Sequence, residues 1–156
     1  KENNGHGPND IYYVFCVQEE LGCRGSKPAA ARIQPDIGIA VDITPAHDYP
    51  CDLEGCNALD EGIAIKFSDP SVVCDEDIVG AMVACCEEKK IKYQREVIDK
   101  GGTDASSMNV SGLGVRVGGI VVVTRYPHSQ SAVASKNDIE AGVELCKAIS
   151  EYEFCW

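Results

Sequence analysis

Two adjacent carboxylates, Glu19 and Glu20, directly follow an apolar run that extends from Ile11 to Val17. The run is rich in β-branched and aromatic residues, so the sequence predicts a buried strand over Ile11–Gln18. In open α/β sheets, ligands bind beside the carboxyl ends of strands, where this pair would lie. One carboxylate there can hold a metal ion while its neighbour transfers a proton. The alternative is that the pair is a solvated strand end, since charges usually face water.

Three further candidate side chains, two carboxylates and one imidazole, lie near the end of an apolar run or in the loop after a turn or strand. Asp42 lies near the end of an apolar run, Asp104 follows Gly101-Gly102-Thr103, and His128 comes shortly after a long apolar run. An unpaired carboxylate inside an apolar strand is costly, so we expect Asp42 to have a partner. A divalent cation, an arginine or a group of backbone amides could serve. Carboxylates combined with one imidazole suit zinc, cobalt or manganese.

The segments between these residues alternate between strand and helix patterns. Strands are predicted over Ile11–Gln18, Asp36–Thr44, Gly62–Phe67, Lys92–Ile98 and Val115–Thr124. Helices are predicted over Ser26–Ile33 (opened by Ser26), Asp75–Lys90 and Lys136–Tyr152, with a turn over Gly101–Asp104 followed by a short helix or loop to Ser111. This alternation predicts an α/β layered sheet with helices on both faces, and no linker divides residues 1–156 into two domains.

Composition and net charge favour a single globular domain and argue against some classes of binding partner. The chain has 156 residues, 44% of them hydrophobic and 25% charged, which suits one globular domain. A net charge of −11 argues against nucleic-acid binding. No stretch approaches the roughly 20 apolar residues that span a bilayer, so we expect no membrane partner. The nine cysteines fall mostly in apolar runs, which is typical of buried thiols in a reducing compartment, and we expect a cytoplasmic protein.

Four motifs together resemble the glutamyl, or tetrahedral, aminopeptidase family, some of whose members have been described as cellulases. The motifs are Val-Gln-Glu-Glu-Leu-Gly-Cys-Arg-Gly (17–25), Ala-Val-Asp-Ile-Thr-Pro-Ala (40–46), Gly-Gly-Thr-Asp-Ala (101–105) and Thr-Arg-Tyr-Pro-His-Ser (124–129). They occur in the family's order and span nearly the whole chain. The resemblance implies a zinc-exopeptidase-like fold, which is a three-layer sandwich with a mixed, mostly parallel sheet. It also implies a two-metal aminopeptidase that removes N-terminal residues from peptides.

The resemblance assigns roles to individual residues. Glu19 matches the family's general base. Glu20 and His128 match two ligands of one metal, and Asp42 matches a ligand of the other. Three residues match a loop near the site and are candidate substrate contacts: Gly102, Thr103 and Asp104. The implied cofactors are two divalent ions, zinc or cobalt, and the implied assembly is a homo-oligomer, which is a dodecamer in the family.

The chain also departs from the family's pattern. The family's site needs a His and a metal-bridging Asp from upstream of the Glu-Glu strand, and neither His6 nor Asp10 matches that motif. The resemblance therefore predicts the C-terminal portion of a catalytic domain, N-terminally incomplete, with little or no activity by itself. One alternative is a non-catalytic assembly or binding module derived from the same fold. A glycoside hydrolase could also use two carboxylates, although the His and the third acid fit metals better.

Overall fold

The chain forms a mixed β-sheet covered by helices. The computed structural model describes residues 7–52 and 54–155. Within those residues the strands are β1 (Ile37–Pro45), β2 (Ile63–Asp69), β3 (Val72–Val73), β4 (Tyr93–Val97), β5 (Arg116–Arg125) and β6 (Val133–Ala134). The helices are α1 (Ser26–Ile33), α2 (Glu76–Lys89), α3 (Asp104–Asn109) and α4 (Lys136–Glu151).

Both parallel and antiparallel pairs build the sheet, whose main strands run in the order β1–β5–β2–β4. β1 runs parallel to β5 along its whole length, from Ile37 opposite Arg116 to Pro45 opposite Thr124. β2 is antiparallel to β5 and parallel to β4. The short strands β3 and β6 add antiparallel pairs to β2 and β5. The predicted mixed sheet is therefore confirmed. No helix among the described residues has the length and apolar composition of a membrane span.

Helices cover both faces of the sheet, which confirms the three-layer arrangement. On one face, α2 and α4 pack over Ile63, Ile65 and Ile120. On the other face, α3 packs over Ala40 and Val117, and α1 packs on α3. Successive residues of a strand point to opposite faces, which explains this division within β2 and β5. The second face carries small side chains, and this leaves room for polar groups beside the sheet.

Asp75 joins the start of α2 to the central strand. Its carboxylate accepts hydrogen bonds from the amides of Asp77 (3.0 Å) and Ile78 (3.3 Å), as an N-cap does. The Arg116 guanidinium of β5 also donates to it, from Nε at 2.7 Å and from Nη2 at 2.8 Å. The hydrogen bonds from Arg116 hold the pKa of Asp75 below its ordinary value of 3.8. The folded state is therefore stabilised by the ionised form of this carboxyl.

We expect Asp75→Ala to cost about 1 kcal/mol of unfolding free energy near neutral pH, since it removes the N-cap. Because folding lowers the pKa of Asp75, its contribution is complete above the unfolded value of 3.8 and is lost as the pH falls through the lower folded value. Urea denaturation of both proteins between about pH 7 and about pH 3 measures this difference. A difference that stays constant over the whole range would contradict the assignment.

The predicted strand Ile11–Gln18 is wrong for the described structure. The segment pairs with no described strand, and its apolar side chains are exposed, Phe15 by 97% and Tyr13 by 78%. An apolar run becomes a buried strand only where a neighbouring strand accepts its backbone hydrogen bonds, and no such neighbour lies among the described residues. The end of the segment is nevertheless fixed against α1. A Cβ on Gly25 would lie 2.6 Å from the backbone nitrogen of Val17, so only glycine permits this approach.

Ser26 has a different role from the predicted helix cap. Helix α1 does begin at Ser26, but its N-cap residue is Gly25, which makes no side-chain capping bond. The buried Ser26 hydroxyl instead donates to Asp104 Oδ1 at 2.5 Å. Ser26 therefore connects α1 to the first residue of α3, beside the carboxylates described next.

Candidate metal and catalytic site

A tight turn between residues 18 and 24 carries Glu19 and Glu20. The amides of Gly22 and Cys23 donate to the Glu19 carbonyl at 2.9 and 2.8 Å. Gln18 and Gly22 have φ angles of 56° and 102°, in the left-handed region that favours glycine. Non-glycine residues with such angles are uncommon and cluster at functional sites. The turn holds both carboxylates at the start of α1.

Glu19 lies in a half-buried group of acids and thiols. Cys23 Sγ donates to Glu19 Oε1 at 3.5 Å, and ligand atoms of Glu19, Cys23 and Asp104 all lie within 4.8 Å of one another. Burial raises the pKa of the Glu19 carboxyl, and the negative charge of Asp42 raises it further. A carboxylate with a raised pKa accepts a proton more readily near neutral pH, as a general base must.

Glu20 meets His128 across the site. His128 Nε2 lies 3.3 Å from Glu20 Oε2, and both side chains are exposed, by 61% and 74%. Two ligands at about 2.0–2.1 Å from a tetrahedrally coordinated zinc ion are separated by about 3.3 Å, so this pair fits a shared metal ion. The resemblance also assigns these two residues to one metal, and they lie 108 positions apart in the sequence.

The loop that carries His128 is held by the segment after β1. Arg125 donates to both carboxylate oxygens of Asp48, at 2.9 and 2.7 Å. The Tyr126 amide donates to the Tyr49 hydroxyl at 3.3 Å, and the two rings pack edge to face with centroids 4.9 Å apart. His128 itself has a φ of 59°, a left-handed conformation that its surroundings must maintain. The residues after β1 thus position a side chain that follows β5.

Asp42 is half-buried on β1 and lies among other acids. Its Oδ1 accepts a hydrogen bond from the amide of Ile43 at 2.7 Å. Burial raises the pKa of the Asp42 carboxyl, and the charges of Asp104 and Glu20 raise it too. The Ile43 amide and the positive charge of Lys66 act in the opposite direction. The Ile43 amide and the positive charge of Lys66 therefore offset part of the charge of Asp42.

The three candidate substrate contacts occupy different environments. Thr103 is buried and caps α3, with its hydroxyl accepting from the Ala105 amide at 3.3 Å. Gly102 lies against Ser71, whose hydroxyl would be 2.7 Å from an added Cβ. Asp104 is the member of the three that lies among the site carboxylates. Of the two upstream residues weighed above, His6 lies outside the described residues, and Asp10 is exposed.

Two thiols were not identified as site residues from the sequence. Cys23 donates to Glu19, and Cys16 lies near enough to Asp104 for that carboxyl to raise the pKa of its thiol. Burial and the neighbouring carboxyl groups raise the pKa of each thiol to about 11, so both are protonated donors at neutral pH. The four-residue spacing of Glu19 and Cys23 was the available signal, but it indicates contact only once the intervening turn is known.

A comparison with known families finds the M42 glutamyl aminopeptidase family over residues 1–145. The chain belongs to this family. The recognition from four sequence motifs is therefore confirmed, while the roles of individual site residues stay predictions.

Relatives of this M42 chain extend well beyond it. A putative aminopeptidase from Acetivibrio thermocellus is 40% identical over 137 residues, which are 88% of this chain and 42% of the relative. An aminopeptidase structure from Desulfurococcus kamchatkensis has a TM-score of 0.84 at 35% identity, over 88% of this chain and 40% of that one. A TET1 peptidase from Pyrococcus horikoshii, described as assembling into a tetrahedron or a large octahedral shell, has a TM-score of 0.75 at 30% identity, over 87% and 39%. The chain thus spans about two-fifths of their length.

Proposed function

We propose that this chain is the C-terminal portion of the catalytic domain of a two-metal aminopeptidase. The observation that carries the proposal is the Glu20–His128 pair, whose Oε2 and Nε2 atoms are 3.3 Å apart beside Glu19. Asp42 and Asp104 add negative charge to the same place, since the charges of Asp104 and Glu20 both raise the pKa of the Asp42 carboxyl. Membership of the M42 family supports this reading.

The proposed ligands divide between two ions, zinc or cobalt. Glu20 and His128 would hold one ion, and Asp42 would hold the other. When bound, such ions lower the pKa of water and polarise the scissile carbonyl of a peptide. The resemblance implies a further His and a bridging Asp that the 156 residues do not supply. We therefore infer that these residues alone bind metal weakly and have little or no peptidase activity.

Glu19 would act as the general base. Its carboxylate would take a proton from the attacking water and later give that proton to the leaving amine. The raised pKa of Glu19 suits both steps, because the group must accept and release a proton near neutral pH. The Cys23 thiol, protonated at neutral pH, would orient Oε1 without competing for the proton.

Asp104 would contact the substrate's free amino terminus. A peptide N-terminus is positively charged near neutral pH, and Asp104 lies within the group that includes Glu19. The capping hydroxyl of Thr103 and the close approach of Gly102 to Ser71 would hold this residue in place. Such a contact would favour cleavage at the end of a peptide rather than within it.

The complete protein would form a homo-oligomer in the cytoplasm. The Pyrococcus horikoshii relative, described as able to assemble into a tetrahedron or a large octahedral shell, supports a homo-oligomer for the complete protein. Cys74, Cys85 and Cys86 are buried in or beside apolar packing and form no disulfide, which supports a reducing, cytoplasmic location.

Mn²⁺ binding tests the metal site directly. We expect Mn²⁺ to raise the melting temperature of the 156-residue chain, because an ion bound only by the native state stabilises it. Mn²⁺ prefers oxygen ligands to thiols, so the nine cysteines should not dominate the result. The shift should disappear on addition of a chelator and in the variants Glu20→Gln and His128→Ala.

Glu140→Gln is the matched control for this measurement. Glu140 is an exposed acid on α4 that pairs with Lys136, 3.3 Å away. This variant should keep the full Mn²⁺ shift. A shift that persists unchanged in both Glu20→Gln and His128→Ala would show that the ion binds elsewhere, and the proposed site would be wrong.

A further inference from the structure

A buried charge network lies on the same face of the sheet as Asp42. The Lys66 ammonium is 2.7 Å from Glu96 Oε2 and 3.3 Å from Asp69 Oδ2. Lys66 is 1% exposed and Glu96 is 0% exposed. Removing such charges from water is expensive, and a buried ion pair is often no more stabilising than apolar side chains of similar size. The network therefore calls for an explanation beyond stability.

The sheet is built to accommodate Lys66. On β5, the neighbouring residue in register is Gly119, and a Cβ there would lie 2.9 Å from Lys66 Cβ. Glycine at this position lets the lysine side chain cross the face of the sheet. The side chains of Ala64 and Ala46 are small, so they leave space for the network on the same face of the sheet.

The network is tied to the carboxyl end of β1. Thr44 Oγ1 donates to Glu96 Oε1, which also accepts from Asn57 Nδ2 at 3.3 Å. Thr44 is two residues beyond Asp42, so both side chains point to the same face of β1. The side chains of all three residues in these contacts are almost completely buried: Thr44, Asn57 and Glu96. The contact with Glu96 thus fixes the strand immediately beyond the Asp42 carboxylate.

We propose that Lys66 and Glu96 are positioning residues that fix the end of β1 and thereby the carboxylate of Asp42. Lys66 holds Glu96 in place, and Glu96 holds the Thr44 hydroxyl. The positive charge of Lys66 also offsets the acids that surround Asp42. The role of Asp42 as a metal ligand rests on the function proposed above, whereas the fixing of β1 does not.

Two variants test the positioning role. Lys66→Met/Glu96→Gln removes both charges of the closest pair, and Asp69 keeps three donors from Ser71 and Val72. Thr44→Val keeps the ion pair but cuts its link to β1. The matched control is Lys92→Met/Glu61→Gln, which removes an ion pair of the same types at 2.8 Å that is exposed.

Hydrogen exchange in the metal-free chain is the first measurement. The Ala46 amide, which donates to the Thr124 carbonyl at 2.8 Å, reports on the end of β1. We expect both test variants to speed its exchange relative to amides in the centre of β5, and the control to change neither. If the network only stabilises the fold, exchange rises at all core amides together, and that result would overturn the proposal.

Mn²⁺ affinity is the second measurement. Loss of a group that orients a metal ligand typically weakens binding by about 10- to 100-fold, and we expect this for both test variants but not for the control. Unchanged affinity in the folded variants would contradict the effect on Asp42. If the unmodified chain binds no Mn²⁺, the proposed metal site fails, and the exchange of the Ala46 amide still decides whether the network positions β1.

Discussion

In a chimera that adds the upstream part of a relative to this chain, Glu19→Gln is expected to lower kcat by about 10²- to 10⁴-fold, the usual contribution of a general base. Glutamine has the shape of glutamate but cannot accept the proton of the attacking water. Glu20 and His128 remain, so metal binding should be preserved. Activity should therefore fall without loss of the ion, which separates a proton carrier from a metal ligand.

A chimera supplies the background for this measurement. The part of the Acetivibrio thermocellus relative that precedes the matched region can be joined to this chain, which covers 42% of that relative. Anilide hydrolysis and Mn²⁺ binding are then compared for Glu19→Gln and Glu20→Gln. The second variant should lose both activity and metal. If Glu19→Gln keeps nearly full activity, Glu19 is not the base.

Lys66→Met is expected to lower the unfolding free energy by about 3–5 kcal/mol. Removal of one partner of a buried ion pair leaves the other charge uncompensated, and this is more costly than loss of the whole pair. Here Glu96 would remain buried without the ammonium that lies 2.7 Å away. Urea denaturation of the metal-free chain gives the value, because linear extrapolation suits a small domain.

Companion variants identify the cause of that loss. Lys66→Met/Glu96→Gln should recover part of the lost stability, because it removes the charge of Glu96, whereas Asp69, 3.3 Å from the Lys66 ammonium, keeps its buried charge. Lys92→Met, at an exposed pair with Glu61, should leave the denaturation midpoint nearly unchanged. If the double variant is as unstable as Lys66→Met, the loss comes from packing of the lysine stem or from the unpaired Asp69, and not from the charge of Glu96.

Local patterns in the sequence were sufficient for most elements. The helix predicted over Asp75–Lys90 is α2 at Glu76–Lys89, with Asp75 as its N-cap, because amphipathic spacing and a capping residue are both local signals. The strand predicted over Val115–Thr124 is β5 at Arg116–Arg125. A strand buried on both faces is recognisable as an apolar run, since both of its faces need apolar side chains.

Features that depend on distant partners were not predictable in this way. The run from Ile11 to Val17 has the composition of a buried strand, but pairing depends on a neighbouring strand that the run itself does not specify. Lys66 lies between Ile65 and Phe67, and the alternation of apolar and polar residues along the strand predicts that its side chain faces solvent. Its actual burial depends on Glu96, Gly119 and Thr44, which come from three other strands.

The candidate site was also predictable only in part. Composition and spacing suggested separate strand-end carboxylates, and the family resemblance grouped Glu20 with His128. The structure places these two 3.3 Å apart. It also shows the contact of Glu19 with Cys23 and the support of the His128 loop by Tyr49, which depend on loop conformation rather than on residue pattern.

The most direct test is the rate at which the 156-residue chain and the chimera hydrolyse amino-acid anilides with saturating Mn²⁺ or Co²⁺. We predict metal-dependent hydrolysis by the chimera and little or none by the chain alone, because under the proposed assignment the chain would supply the base and only part of the ligand set. Hydrolysis by the isolated chain at the rate of the chimera would contradict this account. So would a folded, metal-bound chimera without activity, which would instead favour a non-catalytic module.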